Sequence, residues 1–210
     1  ASPRLFGGQW PQYKKNIKEI IVNDARNHSE KIMPVIEQAL QETNINLKDI
    51  NLIVCDKGPG SFTGLRIGMA TAKGIAQGGN KKLIAVPTLD TLAQNLNHYP
   101  GIICPIMNAQ KQQVYTALYR SGETKMERLS DYQAIEAEKL AEQLLELNET
   151  VWFVGDGVDA FREVLQAKLG DKCRIADGNL VLPHAGALAM LAADRAEQER
   201  FDDLYQAELI

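Results

Sequence analysis

An α/β fold in two subdomains is the class this sequence predicts, and three observations predict it. Short apolar runs recur at 50–55, 82–86, 101–109 and 151–157, bounded by Gly, Asn and Asp as buried strands are. Between them lie stretches with helical apolar spacing, so strand and helix patterns alternate along the chain. The alternation runs in two blocks that part near residue 100, giving subdomains 1–100 and 101–210, and 210 residues with 45% apolar content can bury one large core or two modest ones.

In the first block, "ASPRLFGGQWPQYKK" has two Pro, paired Gly and no clean period, and reads as an irregular lead or a truncated hairpin. "NIKEIIVND" (16–24) alternates well enough for a strand. "NHSEKIMPVIEQALQET" (27–43) predicts a helix: Asn27 and Glu30 have capping-box spacing, and Ile32, Val35, Ile36, Ala39 and Leu40 form its apolar face. Pro34 must kink this helix or open its regular part. "NIN" closes it, and "INLIVC" (50–55) follows as a buried strand. After a turn at Lys57-Gly58-Pro59-Gly60, with Ser61 as N-cap, a helix of small residues runs to about Gln77 and breaks at Gly78-Gly79. "KLIAV" (82–86) is a short strand and "TLDTLAQNL" (88–96) a short helix.

In the second block, "GIICPIMNA" (101–109) and "QVYTALYR" (113–120) read as antiparallel partners, the latter alternating Val114, Thr116 and Leu118 against Tyr115, Ala117 and Tyr119. "SGET" is a turn. Residues 136–147 predict an amphipathic helix through Leu140, Leu144 and Leu147. A strand at 151–157 ends in a Gly-rich turn, followed by a helix at 158–170, a short strand "CRIAD", and a long helix at 184–200.

Composition narrows the function. A net charge of −4 argues against a chain that grips nucleic acid alone through phosphate contacts, so any RNA role needs a basic partner. Cys55, Cys104 and Cys173 are far apart without C-x-x-C spacing, which reads as reduced thiols in a cytosolic protein. No apolar run approaches the roughly 18 residues of a membrane span, and no signal peptide is visible, so the sequence predicts a soluble, cytoplasmic protein.

The small-residue helix excludes three common sites on spacing. A P-loop needs a second Gly where Thr63 or Leu65 stands, followed by Lys-Ser/Thr. The dinucleotide fingerprint starts at Gly58 and Gly60 but meets Thr63, one residue short of Gly64. A nucleophile elbow around Ser61 would need glycines at Pro59 and Thr63. What the helix does have is a period of four: Gly60, Gly64, Gly68, Ala72 and Ala76 form one slowly drifting stripe, with Leu65, Met69 and Ile75 to its side. Such a bare face lets another backbone approach closely, from the same chain or a second one, or leaves the helix N-terminus open to an anion.

The segments "RNHSEKIMP" and "GPGSFTGLRIGMATAKGIA", the residues around Asn108-Ala109 and Val114-Tyr115, Gly155-Asp156-Gly157 and the closing "FDDLYQAELI" resemble the TsaB (YeaZ) family, from about Ile20 to the C-terminus. The resemblance implies a duplicated actin/Hsp70-like (ASKHA) fold. It also implies a subunit that works with TsaD in making threonylcarbamoyladenosine on tRNA. In that family the helices after RNHSE and after GPGSFTG form the contact surface with TsaD or with a second copy, which carries over to His28, Ile32, Ile36, Gly64, Leu65, Gly68 and Ala72. The implied partners are a TsaD-like catalytic subunit, a TsaE-like ATPase and, for the chain alone, a second copy of itself, with tRNA reached only through the complex and ATP–Mg at the level of the complex.

Two departures bear on nucleotide binding and length. Family members open with a strand ending in Asp-Thr-Ser/Ala, the phosphate loop of related ATPases; this chain begins Ala1-Ser2-Pro3, so that first strand is missing from the sequence. The chain also stops at Ile210, where the family continues with a short Tyr-Leu-Arg tail. TsaD carries a metal pair spaced H-x-x-x-H just past the strand after the Gly helix. Here that place is "VPTLDTLAQ", with Thr88 and Leu92 at the same spacing, and leucine ligates no metal. His28 reads as a helix-start residue at the interface, and His98 and His184 have no adjacent ligand pair. Asp56 reads as a solvated strand end, Asp90 and Asp156 as cap or turn residues, Ser61 and Thr63 as capping, and Tyr115 and Tyr119 as packing. No catalytic residue and no metal site is expected, and no cofactor bound by this chain alone. The rival readings are an ATP-binding phosphotransferase or ATPase of the same fold, and a peptidase-like protein.

Overall fold

The computed structural model describes residues 6–7, 18–22, 28–122 and 126–210. Two compact units divide them: one holds the described residues up to Thr88 together with Ala185–Ile210, the other Leu89–His184. The sequence reading places a single division near residue 100. The difference lies in the last helix, whose apolar side packs on the sheet of the first unit and so returns the chain's end to its beginning.

In the first unit, β1 (Phe6–Gly7) pairs antiparallel with β2 (Lys18–Glu19), Phe6 opposite Glu19. β2 is shorter than the strand expected at 16–24, since residues 20–22 are not in a strand and Asp24 lies outside the described residues. Helix α1 (His28–Thr43) buries Ile32, Val35, Ile36 and Ala39 on one side. It continues without a break through Pro34, which sits exposed inside it, and Asn44 closes it at φ 55°, the left-handed conformation asparagine tolerates. The expected cap at Asn27 lies outside the described residues.

β3 (Leu52–Asp56) and β4 (Lys82–Val86) pair in parallel, Leu52 opposite Lys82 through Asp56 opposite Val86. Their crossover is α2 (Phe62–Gly78), capped by Ser61, whose Oγ accepts the Gly64 N–H at 3.4 Å. Strand side chains alternate between two faces. Ile53, Cys55, Leu83 and Ala85 meet Met69 and Ala72 of α2, while Leu52, Val54, Ile84 and Val86 meet the chain's last helix, Ala185–Glu197.

The second unit begins within α3 (Thr88–Gln94). Its sheet is built on β5 (Ile102–Ala109), which lies antiparallel to β6 (Gln113–Thr116) and to β7 (Tyr119–Ser121). The single strand expected at 113–120 is thus two strands. The register is constant across the gap, Ile106 opposite Thr116 and Ile103 opposite Tyr119, and the interruption faces Pro105, which has no N–H for the ladder. The fork lets β8 (Met126–Arg128) pair with β7, and β9 (Gln133–Glu136) pair with β6. The turn expected at 121–124 lies partly outside the described residues.

Helix α4 (Ala137–Leu147) leads to β10 (Val151–Val154), then α5 (Gly157–Leu169) to β11 (Cys173–Ile175), all strands here parallel to β5 in the order β11-β10-β5. Leu140 and Leu144 are buried as expected, but Leu147 points out; Ala137 and Ala141 complete the buried row. α4 and α5 cover one face of the sheet through Leu144, Leu165 and Phe153, and α3 covers the other through Leu89, Leu92 and Met107. The succession α4–β10–α5–β11 repeats α1–β3–α2–β4 of the first unit. The last helix, α6, spans Ala185–Glu197. The α/β class expected from the sequence is present, and the helix–strand succession of the first unit recurs in the second.

Candidate functional site

Helices α1 and α2 carry the residues that the sequence singles out, and the chain's own packing takes most of them. Ile32 and Ile36 are buried on α1, Leu65 and Ala72 on α2, each at 8% exposure or less, and Gly64 is buried with them. Ala72 packs against Leu83 and Ala85 of β4, and Leu65 lies beside Gly58 in the preceding turn. Gly68 differs: a Cβ built there meets nothing within 4 Å among the described residues. The side chain of His28 lies outside the described residues. The period-four stripe therefore divides, with Ala72 and Ala76 turned into the unit and Gly68 turned to open space.

The large apolar side chains that α1 and α2 do expose are different residues, which small-residue spacing does not mark. Phe62 is 66% exposed with the Arg66 guanidinium 3.8 Å above its ring, and Met33 is 51% exposed beside Pro34. Exposed charged groups stand within one turn of them in sequence: Glu30 and Glu37 on α1, Arg66 on α2. Glu42 closes the α1 side in an ion pair with Lys18 at 2.5 Å, and hydrogen bonds from Lys18 and Gln38 hold its carboxyl below the usual value. Large exposed apolar side chains with charged neighbours suit a protein-binding surface.

The turn before α2 is filled by the chain itself. Gly58, at φ +105°, accepts the Thr88 N–H on its C=O at 2.8 Å, and Ile210 O lies 2.7 Å from where a Cβ would be. Ser61 caps α2, so the reading of Ser61 as a cap fits the geometry.

The other carboxylates are occupied in structural roles. Asp90 accepts from Tyr119 Oη at 2.6 Å and from Tyr132 Oη at 2.8 Å, tying α3 to β7 and to the loop before β9. Burial first, then the Asp90 charge, pushes both phenols well above the ordinary tyrosine range. Neither tyrosine signals the pairing in sequence, because the partners are 29 and 42 residues away. Asp156 Oδ1 accepts the Asn108 N–H at 3.0 Å rather than capping α5. Tyr119 is buried and Tyr115, on β6, is 42% exposed. His184 Nε2 lies 2.8 Å from Asn179 O, and His98 sits exposed at φ 86°.

Thr88 and Leu92, at the i, i+4 positions on α3, are buried at 3% and 1% exposure, and Thr88 Oγ1 has no hydrogen-bond partner among the described residues. Among those residues no three His, Cys, Asp or Glu side chains group as metal ligands would. Burial raises the Cys55 and Cys104 thiols, each to about 12, so neither is a ready nucleophile.

A family model described as TsaD, tRNA N6-adenosine threonylcarbamoyltransferase, matches residues 17–208. The TsaB protein of Bacillus subtilis (strain 168), a tRNA threonylcarbamoyladenosine biosynthesis protein, is 34% identical over 179 residues, 85% of this chain and 78% of that protein. Its namesake from Escherichia coli (strain K12) is 31% identical over 170 residues, 80% and 72% of the respective chains. The solved structure of YeaZ from Pseudomonas aeruginosa superimposes with a TM-score of 0.79 at 22% identity, covering 92% of this chain and 88% of that one. The fold is therefore that of YeaZ, and no helix among the described residues is long and apolar enough to cross a membrane. By sequence and by fold together, the chain belongs to the TsaB (YeaZ) family.

Proposed function

We propose that this protein is a non-catalytic subunit of threonylcarbamoyladenosine synthesis on tRNA, joined to a TsaD-like catalytic subunit through the outward side of α1 and α2. The observation that carries this reading is the pair of side chains on α3. The chain matches the TsaD family model across this helix, yet the i, i+4 positions read as its metal pair hold Thr88 and Leu92. One hydroxyl and one hydrocarbon do not hold a transition metal.

The α1–α2 surface supports the partner half of the reading. Phe62, Arg66 and Met33 provide an aromatic, a cation and a flexible apolar side chain, the types enriched at the centre of protein interfaces. Open space at Gly68 lets a partner helix approach the α2 backbone. The same surface serves a second copy when the chain is alone. A TsaE-like ATPase joins the complex and brings ATP–Mg with it. The tRNA is held through the complex, consistent with a net charge of −4 on this chain. The work takes place in the cytoplasm.

The test is reconstitution. The chain is added to the TsaD-like subunit, tRNA and threonylcarbamoyl-adenylate, and modified adenosine is measured. Modification is expected only with both proteins present. Turnover by this chain alone overturns the reading, as does full turnover by the TsaD-like subunit without it.

A further inference from the structure

The last ten residues form no helix and only an isolated bridge, yet they run the length of α2 in the opposite direction. Near the end of α2, Tyr205 Oη accepts from Gln77 Nε2 at 3.4 Å. In its middle, Leu204, Ala207 and Leu209 pack into the cluster of Met69 and Ala72. Before its first turn, the Ile210 N–H donates to Lys57 O at 2.8 Å, and the Ile210 carbonyl fills the space beside Gly58.

The start of this segment is locked to β4. The Asp202 N–H donates to Leu83 O at 2.9 Å, and its Oδ2 accepts the Ala85 N–H at 2.7 Å. Arg195 of α6 completes the lock: Nη2 lies 3.0 Å from Asp202 Oδ1, and Nη1 donates to Ala85 O at 3.1 Å. One arginine and one aspartate thus satisfy the outer N–H and C=O of Ala85, as a neighbouring strand would.

We propose that Phe201–Ile210 is a clasp that fixes the first turn of α2, and that Arg195 and Asp202 are the positioning residues that close it. The inference rests on the reading that the outward side of α2 receives the TsaD-like subunit. Two other bonds set the turn before α2, Lys57 N–H to Val86 O at the end of β4 and Thr88 N–H, at the start of α3, to Gly58 O. The clasp adds the third anchor and supports the inward side of the same helix. A surface that offers backbone at Gly68 depends on where the helix axis sits, so slack beneath α2 reaches its outward side.

The experiment uses the full chain with Asp202→Ala, and with Leu209→Ala as a second variant that leaves the ion pair intact. Amide hydrogen exchange is measured along the chain, and affinity for the TsaD-like subunit by titration calorimetry. In both variants amides of residues 57–69 are expected to exchange about tenfold faster or more, with β5 and β10 unchanged. Affinity is expected to fall by about tenfold. Wild-type protection at 57–69 in a folded variant overturns the clasp. Equal loss of protection across α1, β3, β4 and α2 also overturns it, since that is general destabilisation. Lost protection at 57–69 with unchanged affinity overturns the link to the partner. If the wild-type chain binds no TsaD-like subunit, the proposed function falls, and the exchange measurement alone decides the clasp.

Discussion

Two glycine-bearing turns open two helices, one in each unit, and the glycines beyond those turns differ. In both turns a glycine at positive φ is wedged against a carbonyl: Gly58 beside Ile210 O, and Gly155, at φ +109°, with Ile106 O 2.5 Å from its missing Cβ. Only glycine fits such positions. After Gly157, however, α5 has no further glycine, whereas α2 keeps Gly64, Gly68, Gly74 and Gly78. At Gly68, Gly74 and Gly78 a Cβ would meet nothing among the described residues. Each interior glycine costs a helix about 1 kcal/mol relative to alanine. The glycines of the second unit's turn are explained by the chain's own packing; Gly68 and Gly74 are not, and an outside partner is what would use them.

The contrast can be broken most decisively at Gly155. Gly155→Ala forces an L side chain into positive φ against a backbone carbonyl, and a loss of about 3 kcal/mol or more is expected in urea unfolding followed by Trp152 fluorescence. Near-wild-type stability would mean the turn relaxes freely and the two regions are alike. Next comes Gly68→Leu. The isolated chain should melt at or above the wild-type temperature, while affinity for a TsaD-like subunit falls tenfold to a hundredfold, about 1–3 kcal/mol. A lowered melting temperature with intact binding would place Gly68 in the core instead.

A smaller effect is expected at Gly157, whose Cβ would come 3.0 Å from Ile106 O at ordinary φ. Gly157→Ala should lose about 1 kcal/mol by the same unfolding measurement, and a gain would show that the close approach to β5 is slack. The smallest change is a gain. Gly74→Ala removes an exposed helix glycine with room for a methyl and should raise stability by about 0.5–1 kcal/mol. A loss there would reveal packing that the contrast denies.

Much of the fold was legible because local signals and tertiary demands agree. KLIAV gives β4 with the bounds read from sequence, and Ser61 caps α2 where the turn chemistry placed it. Strands β8 and β9 leave no signal in the sequence, since MER and QAIE are short and largely polar edge segments with no apolar alternation to mark them. The fork at 117–118 has no local signal because its cause, Pro105, lies on the partner strand. At the candidate site, most of the residues singled out on α1 and α2 are buried. A period of four marks small residues without saying which way they face. Phe62, Arg66 and Met33 announce themselves only once burial is known. The bonds of Asp90 to Tyr119 and of Asp202 to the Ala85 N–H span 29 and 117 residues, beyond any local pattern.

The lock at Ala85 also has a consequence in time. Its aspartate is made 117 residues after the strand it covers, which at a synthesis rate of about 5–20 residues per second leaves the outer edge of β4 bare for roughly ten seconds on the ribosome. Throughout that interval a parallel pair of apolar strands has an open side on which another chain can add. A weakened Arg195–Asp202 lock would prolong that exposure past the end of synthesis, so it would first be felt as chaperone dependence of newly completed chains.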